Sequence, residues 1–256
     1  MNTLSLFDLT GKTALITGSE SGIGYALAEG LANAGAKILL NGLSLEKLAD
    51  AENRLKERMA SVTKLAFDVT QSDHVIRAID LYTKTEGNID ILINNAGINI
   101  RGDFAGFNEI DWNKILDVNI NGAMIVTKAV IPQMIKNRAG KIINICSLYS
   151  ELGNESVVPY AVSKGGLKMF TKALCAELAK YNIQVNGIAP GFIKTEMTQS
   201  LWNDTAFNEW LRNRTPAVRW GKPKELVGAS VFLSSEASDY VNGHILHVDG
   251  GIMASV

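Results

Sequence analysis

Short apolar runs of strand length alternate with amphipathic stretches of helical length along almost the whole chain, and this alternation limits the fold more than any single motif. The candidate strands are Lys12–Thr17, Lys37–Asn41, Lys64–Phe67, Ile89–Asn94, Gly140–Cys146, Ile183–Ala189 and His244–Asp249. Apolar runs of this kind suit strands buried on both faces, and helices between them supply the crossovers that parallel pairing needs. The expectation is a single α/β domain over residues 1–256, a doubly wound parallel sheet of about seven strands in three α/β/α layers. No linker, repeat or low-complexity segment divides the 256 residues, and 46% hydrophobic content is enough to fill such a core.

Charge narrows the function classes. The chain has 25 basic and 26 acidic residues without a long run of either sign, which argues against a nucleic-acid or membrane surface and for a small dispersed substrate. The first 17 residues lack a basic leader followed by an apolar segment, and no stretch reads as an uninterrupted membrane span, so a soluble cytoplasmic protein is expected. Cys146 and Cys175 read as buried thiols. His74, His244 and His247 have no ligand spacing, and no metal site is expected.

The first strand leads into TGSESGIG, Thr17 to Gly24, and then into a helix that stops near Gly35. Gly18, Gly22 and Gly24 let the backbone turn tightly beside a helix N-terminus whose free N–H groups suit a dinucleotide pyrophosphate, although such a turn can also be purely structural. The second strand ends in Asn41, Gly42, Leu43 and Ser44, where folds of this type meet an adenosine ribose. No carboxylate follows until Glu46, so NADP(H) is preferred here over NAD(H), although no Arg or Lys lies in 41–45 to receive its phosphate. Asp68 and Val69 close the third strand, placed either to bind adenine or, for Asp68, to cap the next helix. The fourth strand runs into NNAG, Asn94 to Gly97. Ile110 to Ile135 reads as one long helix with Asn119 inside it, where Asn is disfavoured unless its amide faces solvent or bonds the backbone.

Ser147 ends the fifth strand, and Pro190 and Gly191 end the sixth. In a parallel sheet Gly18, Asn95, Ser147 and Pro190 share one carboxyl edge, the edge where open α/β sheets bind ligands. The helix after Ser147 repeats apolar residues at Leu167, Phe170, Leu174 and Leu178, and Tyr160 and Lys164 fall on that same inward stripe. An adjacent ammonium would stabilise a phenolate, by about three pKa units if Tyr160 is to exchange protons near neutral pH. Residues 192–220 form a long aromatic and cationic insertion, read as a lid, a packed helical hairpin or a subunit contact.

Taken together, TGSESGIG, NNAG, Asn119, Ser147, Tyr160 to Lys164 (YAVSK) and Pro190–Gly191 resemble the short-chain dehydrogenase/reductase family from Lys12 to Gly251. The resemblance implies a Rossmann-type fold and hydride transfer with NADP or NAD. It implies that Tyr160 is the general acid/base, that Lys164 lowers its pKa and binds the nicotinamide ribose, that Ser147 polarises the carbonyl, and that Asn119 positions a proton-relay water. The implied cofactor contacts are Gly18, Ser21, Gly22, Ile23, Gly24, Asn41, Leu43, Asp68, Val69, Asn95, Ala96, Gly97, Tyr160, Lys164, Pro190, Gly191, Ile193 and Thr195. The segments 144–169, 182–198, 214–223 and 232–251 are similar to the branch that interconverts gluconate and 5-keto-gluconate. That similarity implies a small sugar-acid substrate, with a homotetramer as the common assembly of the family.

For such a substrate Arg101, Glu151 and Asn154 are the expected polar contacts beside Ser147 and Tyr160, because a guanidinium can grip a carboxylate with fixed geometry. A 3-oxoacyl-[acyl-carrier-protein] reductase, or another polyol or ketose enzyme, shares every catalytic motif. A dinucleotide-sensing protein without turnover is the alternative from another class.

Overall fold

A computed structural model describes residues 3–57 and 60–255. Seven strands form one sheet in the order β3-β2-β1-β4-β5-β6-β7, and every pairing is parallel. They are β1 Thr13–Ile16, β2 Lys37–Leu40, β3 Val62–Lys64, β4 Ile91–Asn94, β5 Gly140–Ile145, β6 Ile183–Pro190 and β7 Ile245–Val248. The order reverses between β1 and β4, which opens a crevice at the carboxyl edge.

Two hydrophobic layers cover the sheet, and successive strand residues point into opposite ones. Ile16, Ile38, Leu40 and Ile93 pack with Leu27 and Leu31 of helix α1, Gly22–Asn33. Leu15, Leu39, Leu92, Ile142 and Val185 pack on the other face with Val75 and Ile79 of α3, Ser72–Thr85. Burying each such side chain contributes about 1.5–3 kcal/mol, which makes the alternate-residue register hard to slip. The chain's end also docks, with Ile252 buried against Leu148, Tyr149 and Val157.

The third strand lies earlier than the apolar run Lys64–Phe67 suggests. The Asn41 amide donates to the carbonyls of Leu65 and Phe67 at 2.9 and 3.0 Å, so a side chain takes the place of a strand partner there. The long helix is also interrupted. It consists of α4 Glu109–Leu116, a π-helical turn Asp117–Asn121 and α5 Gly122–Asn137. By length and composition the run Glu109–Asn137 is long and apolar enough to cross a membrane, contrary to the sequence expectation. In the fold Val126, Val130 and Met134 from this run are buried against Leu92, Ile142 and Val185, which makes it a core helix of the layered sheet.

Candidate active site

A cleft of about 1090 Å³ runs along the carboxyl edge over the crossover. The first strand-to-helix turn lines it with Gly18, Ser21, Gly22, Ile23 and Gly24, and the second and third strand ends add Asn41, Leu43, Asp68 and Val69. Asn95, Ala96 and Gly97 follow β4, and Pro190, Gly191, Ile193 and Thr195 follow β6. Ser147, Tyr160 and Lys164 line its inner end. Asp68 does not cap α3. Its carboxylate accepts the Thr70 N–H and hydroxyl at 2.9 and 2.8 Å in a turn before the helix, whose first cap is Gln71.

The residues present fit a dinucleotide. Gly22 holds a left-handed conformation, φ +57°, and a Cβ built there meets nothing nearer than the Thr195 methyl at 3.8 Å, so the turn leaves a cradle. Ser21 forms no side-chain cap on α1, and the first N–H groups of that helix remain available to an anion. The Asn95 amide donates to the carbonyls of Thr17 and Gly18, both at 2.9 Å, which fixes the turn against the end of β4.

The catalytic candidates converge from β5 and from α6, Val158–Leu178, whose first turn contains Pro159. The Ser147 hydroxyl oxygen accepts the Tyr149 N–H at 3.1 Å, so its O–H is free to donate toward the Tyr160 phenol oxygen or a carbonyl beside it. Burial pushes the phenol of Tyr160 up to about 12, with the Ser147 hydrogen bond opposing. Lys164 is buried, donates to the Ile145 carbonyl at 2.7 Å and has its ammonium 5.7 Å from the centre of the Tyr160 ring. The same burial pulls Lys164 down to about 8. The protein alone thus shifts Tyr160 opposite to the expected direction, because removing the phenolate from water outweighs a cation engaged with the Ile145 carbonyl. A phenol that keeps its proton is suited to give it to an alkoxide.

Asn119 lies under the cleft floor rather than in its lining. In the π turn its amide exchanges two hydrogen bonds with the Ile98 backbone, at 2.8 and 2.9 Å, and donates to the Ser163 hydroxyl at 3.0 Å. A π turn inserts one residue into the helical ladder, and here it turns that amide inward to join α4 and α5 to the loop after β4 and to α6.

The expected sugar contacts do not line the cleft. Arg101 is exposed. Glu151 turns instead to the Lys168 ammonium at 3.1 Å, with His247 Nε2 at 3.4 Å. Asn154 donates to the Tyr149 hydroxyl at 2.9 Å. Tyr149 in turn stands edge-on to Tyr160 and to Phe192, with ring centroids 6.3 and 6.2 Å apart. The 192–220 segment is a helical hairpin, α7 Gln199–Trp202 and α8 Thr205–Arg214, gathered around Phe192, Phe207, Trp210 and Trp220. Arg219 pairs with Glu225, away from the cleft. Sequence reasoning gave no role to Glu20 and Lys47, which line the cleft beside Gly42; proximity between the first turn and the second strand end was the signal.

A family model described as enoyl-(acyl carrier protein) reductase matches residues 18–253. The chain is 50% identical over 251 residues to the 5-keto-D-gluconate 5-reductase of Escherichia coli (strain K12), covering 98% of this chain and 99% of that protein. It is 45% identical to the gluconate 5-dehydrogenase of Gluconobacter oxydans (strain 621H), covering 98% of each. The crystal structure of a gluconate 5-dehydrogenase from Burkholderia cenocepacia J2315 in complex with NADP and tartrate superposes with a TM-score of 0.97 at 47% identity, over 100% of both chains. Identity of this extent, over a sheet whose edge brings Ser147, Tyr160 and Lys164 to one cleft, means that the chain belongs to the short-chain dehydrogenase/reductase family.

Proposed function

We propose that the protein is an NADP(H)- or NAD(H)-linked oxidoreductase that interconverts D-gluconate and 5-keto-D-gluconate. The observation that carries this reading is full-length identity to two relatives named for that reaction, together with a cleft that holds the Ser147, Tyr160 and Lys164 side chains. A second reading keeps the chemistry and changes the acid: the chain is 46% identical to the 2-dehydro-3-deoxy-D-gluconate 5-dehydrogenase of Formosa agariphila. Both names place the reaction at C5 of a six-carbon acid.

The nicotinamide cofactor supplies the hydride when bound. In the reductive direction the Ser147 O–H donates to the substrate carbonyl oxygen, and Tyr160 passes its proton to that oxygen as it becomes an alkoxide. Lys164 holds positive charge beside the phenol and would hold the nicotinamide ribose when the cofactor is bound. Asn119 fixes the wall behind Lys164: a Cβ on Gly97 would sit 3.3 Å from the Asn119 amide oxygen and 3.6 Å from the Lys164 ammonium. Arg101, exposed and outside the cleft lining, is the residue we assign to the substrate carboxylate by a turn of its side chain when the acid binds; the Gly102 N–H holds its segment to the Ser156 carbonyl at 3.1 Å. Asn154 positions the aromatic wall through Tyr149, and Glu151 anchors its loop. The 192–220 hairpin acts as the lid over the cleft.

Tyr160→Phe tests the reading. Turnover should fall by about 10²–10⁴-fold while the dissociation constant of the dinucleotide stays within about twofold; unchanged turnover would remove Tyr160 from the mechanism. The protein is further proposed to be a soluble cytoplasmic homotetramer. The core packing of the Glu109–Asn137 helical run supports a soluble chain, and exposed Met124, Val162 and Met169 on α5 and α6 offer apolar contact surface. A light-scattering mass of a single chain would refute the tetramer.

A further inference from the structure

The adenosine end of the cleft has an acid that the second strand does not supply. Asn41, the first residue after β2, is buried with its amide spent on Leu65 and Phe67, and Gly42 has no side chain. The vacancy beside Gly42 is filled from the glycine-rich turn. A Cβ built on Gly42 would lie 2.1 Å from Glu20 Oε2 and 2.7 Å from its Cδ, so the carboxylate sits where a β2-end side chain would begin. Glu20 Oε2 accepts the Ser44 N–H at 3.1 Å, which holds the carboxylate there. Its other oxygen has no hydrogen-bond donor among the described residues. Glu20, Gly42, Leu43 and Lys47 all line the cleft.

We propose that Glu20 is the residue that discriminates between NAD and NADP in this protein, with Lys47 as its counterweight. The proposal rests on the dinucleotide reading of the cleft. A carboxylate with a free oxygen accepts hydrogen bonds from vicinal ribose hydroxyls, and it repels a 2′-phosphate at the same place. Lys47 lies in the first turn of the next helix, Leu45–Lys56, its N–H donating to Ser44 Oγ at 3.2 Å, and among the described residues its half-exposed ammonium pairs only with Glu196, at 3.7 Å. That loose pair leaves the cation available to a phosphate. Opposite charges at one corner allow both cofactors to bind, and the balance between them is set by Glu20 and Lys47 rather than by a residue of β2.

The test is the equilibrium dissociation constants of NAD⁺ and NADP⁺, measured by calorimetry on the full chain at fixed ionic strength. Glu20→Gln keeps the side chain's size and its acceptor for Ser44. It should tighten NADP⁺ about tenfold and weaken NAD⁺ several-fold, whereas Lys47→Met should weaken NADP⁺ several-fold and leave NAD⁺ unchanged. A ratio of the two constants unaltered by Glu20→Gln overturns the assignment of Glu20, even if Lys47→Met behaves as stated. Ratios unaltered by both substitutions would show that the ribose lies elsewhere. Binding of neither dinucleotide by the unsubstituted protein would refute the cofactor reading itself.

Discussion

Lys164 shows at one residue how function is set against stability. Its ammonium is buried with a carbonyl as hydrogen-bond partner, no carboxylate lies within ion-pair distance among the described residues, and its pKa falls to about 8. In the unfolded chain a lysine titrates near 10.5. Below pH 8 both states carry the proton and the full cost of burying the charge is felt. Between about 8 and 10.5 the unfolded chain binds more protons, so stability rises with pH through that window. Lys164→Met should therefore be at least as stable as the wild type at pH 7, by up to on the order of 2 kcal/mol after loss of the Ile145 bond, with the difference shrinking toward pH 10. Urea midpoints at the two pH values measure this, and a variant markedly less stable at pH 7 would contradict it. In steady-state assays Arg101→Ala should raise KM for the acid substrate about tenfold or more and leave KM for the cofactor nearly unchanged; equal effects would discard that role. The meeting of Tyr160, Lys164 and Ser147 at one edge was legible in the sequence from the spacing along α6 and from the end of β5, whereas the roles expected of them came from the family resemblance. Glu151 was not, because its partners Lys168 and His247 come from a distant turn of α6 and from β7.

At the scale of elements, periodicity located the strands and most helices, and the departures have local causes. The end of β3 is decided by an amide on β2's exit, which no pattern within residues 62–67 reveals. The π turn at Asn119 is signalled only by an amide in an unfavourable place. The paired glycines of α6 separate on inspection. A Cβ on Gly166 would lie 2.6 Å from Ile120 Cδ1 of the π turn, whereas one on Gly165 meets only the Ser150 carbonyl at 3.9 Å. Gly165→Ala should therefore stabilise the protein by about 0.5–1 kcal/mol through helix propensity. Gly166→Ala should gain less or lose stability, because Ile120 must move. Thermal midpoints compare the two, and the reverse order would contradict the packing assigned to this helix.

For the whole molecule, the parallel sheet, its layers and the convergence of strand ends at one edge follow from alternation and from the turns that end each strand. The strand order and the crossover between β1 and β4 place the cleft, and these come from how the units pack rather than from any one segment. The lining of the proposed cofactor half was readable for the same reason: its residues follow directly on strand ends. The proposed substrate half was not, because the edge-on Phe192–Tyr149 contact brings the 192–220 hairpin onto the 148–156 loop across a long stretch of chain. The central claim is the reaction at C5 of a six-carbon sugar acid. It is tested most directly by initial rates of NADPH and NADH oxidation with 5-keto-D-gluconate, beside a 3-oxoacyl thioester and a panel of ketoses. Turnover with the keto acid at least about a hundredfold above the thioester is the result predicted here; turnover with the thioester alone, or with no member of the panel, would contradict it.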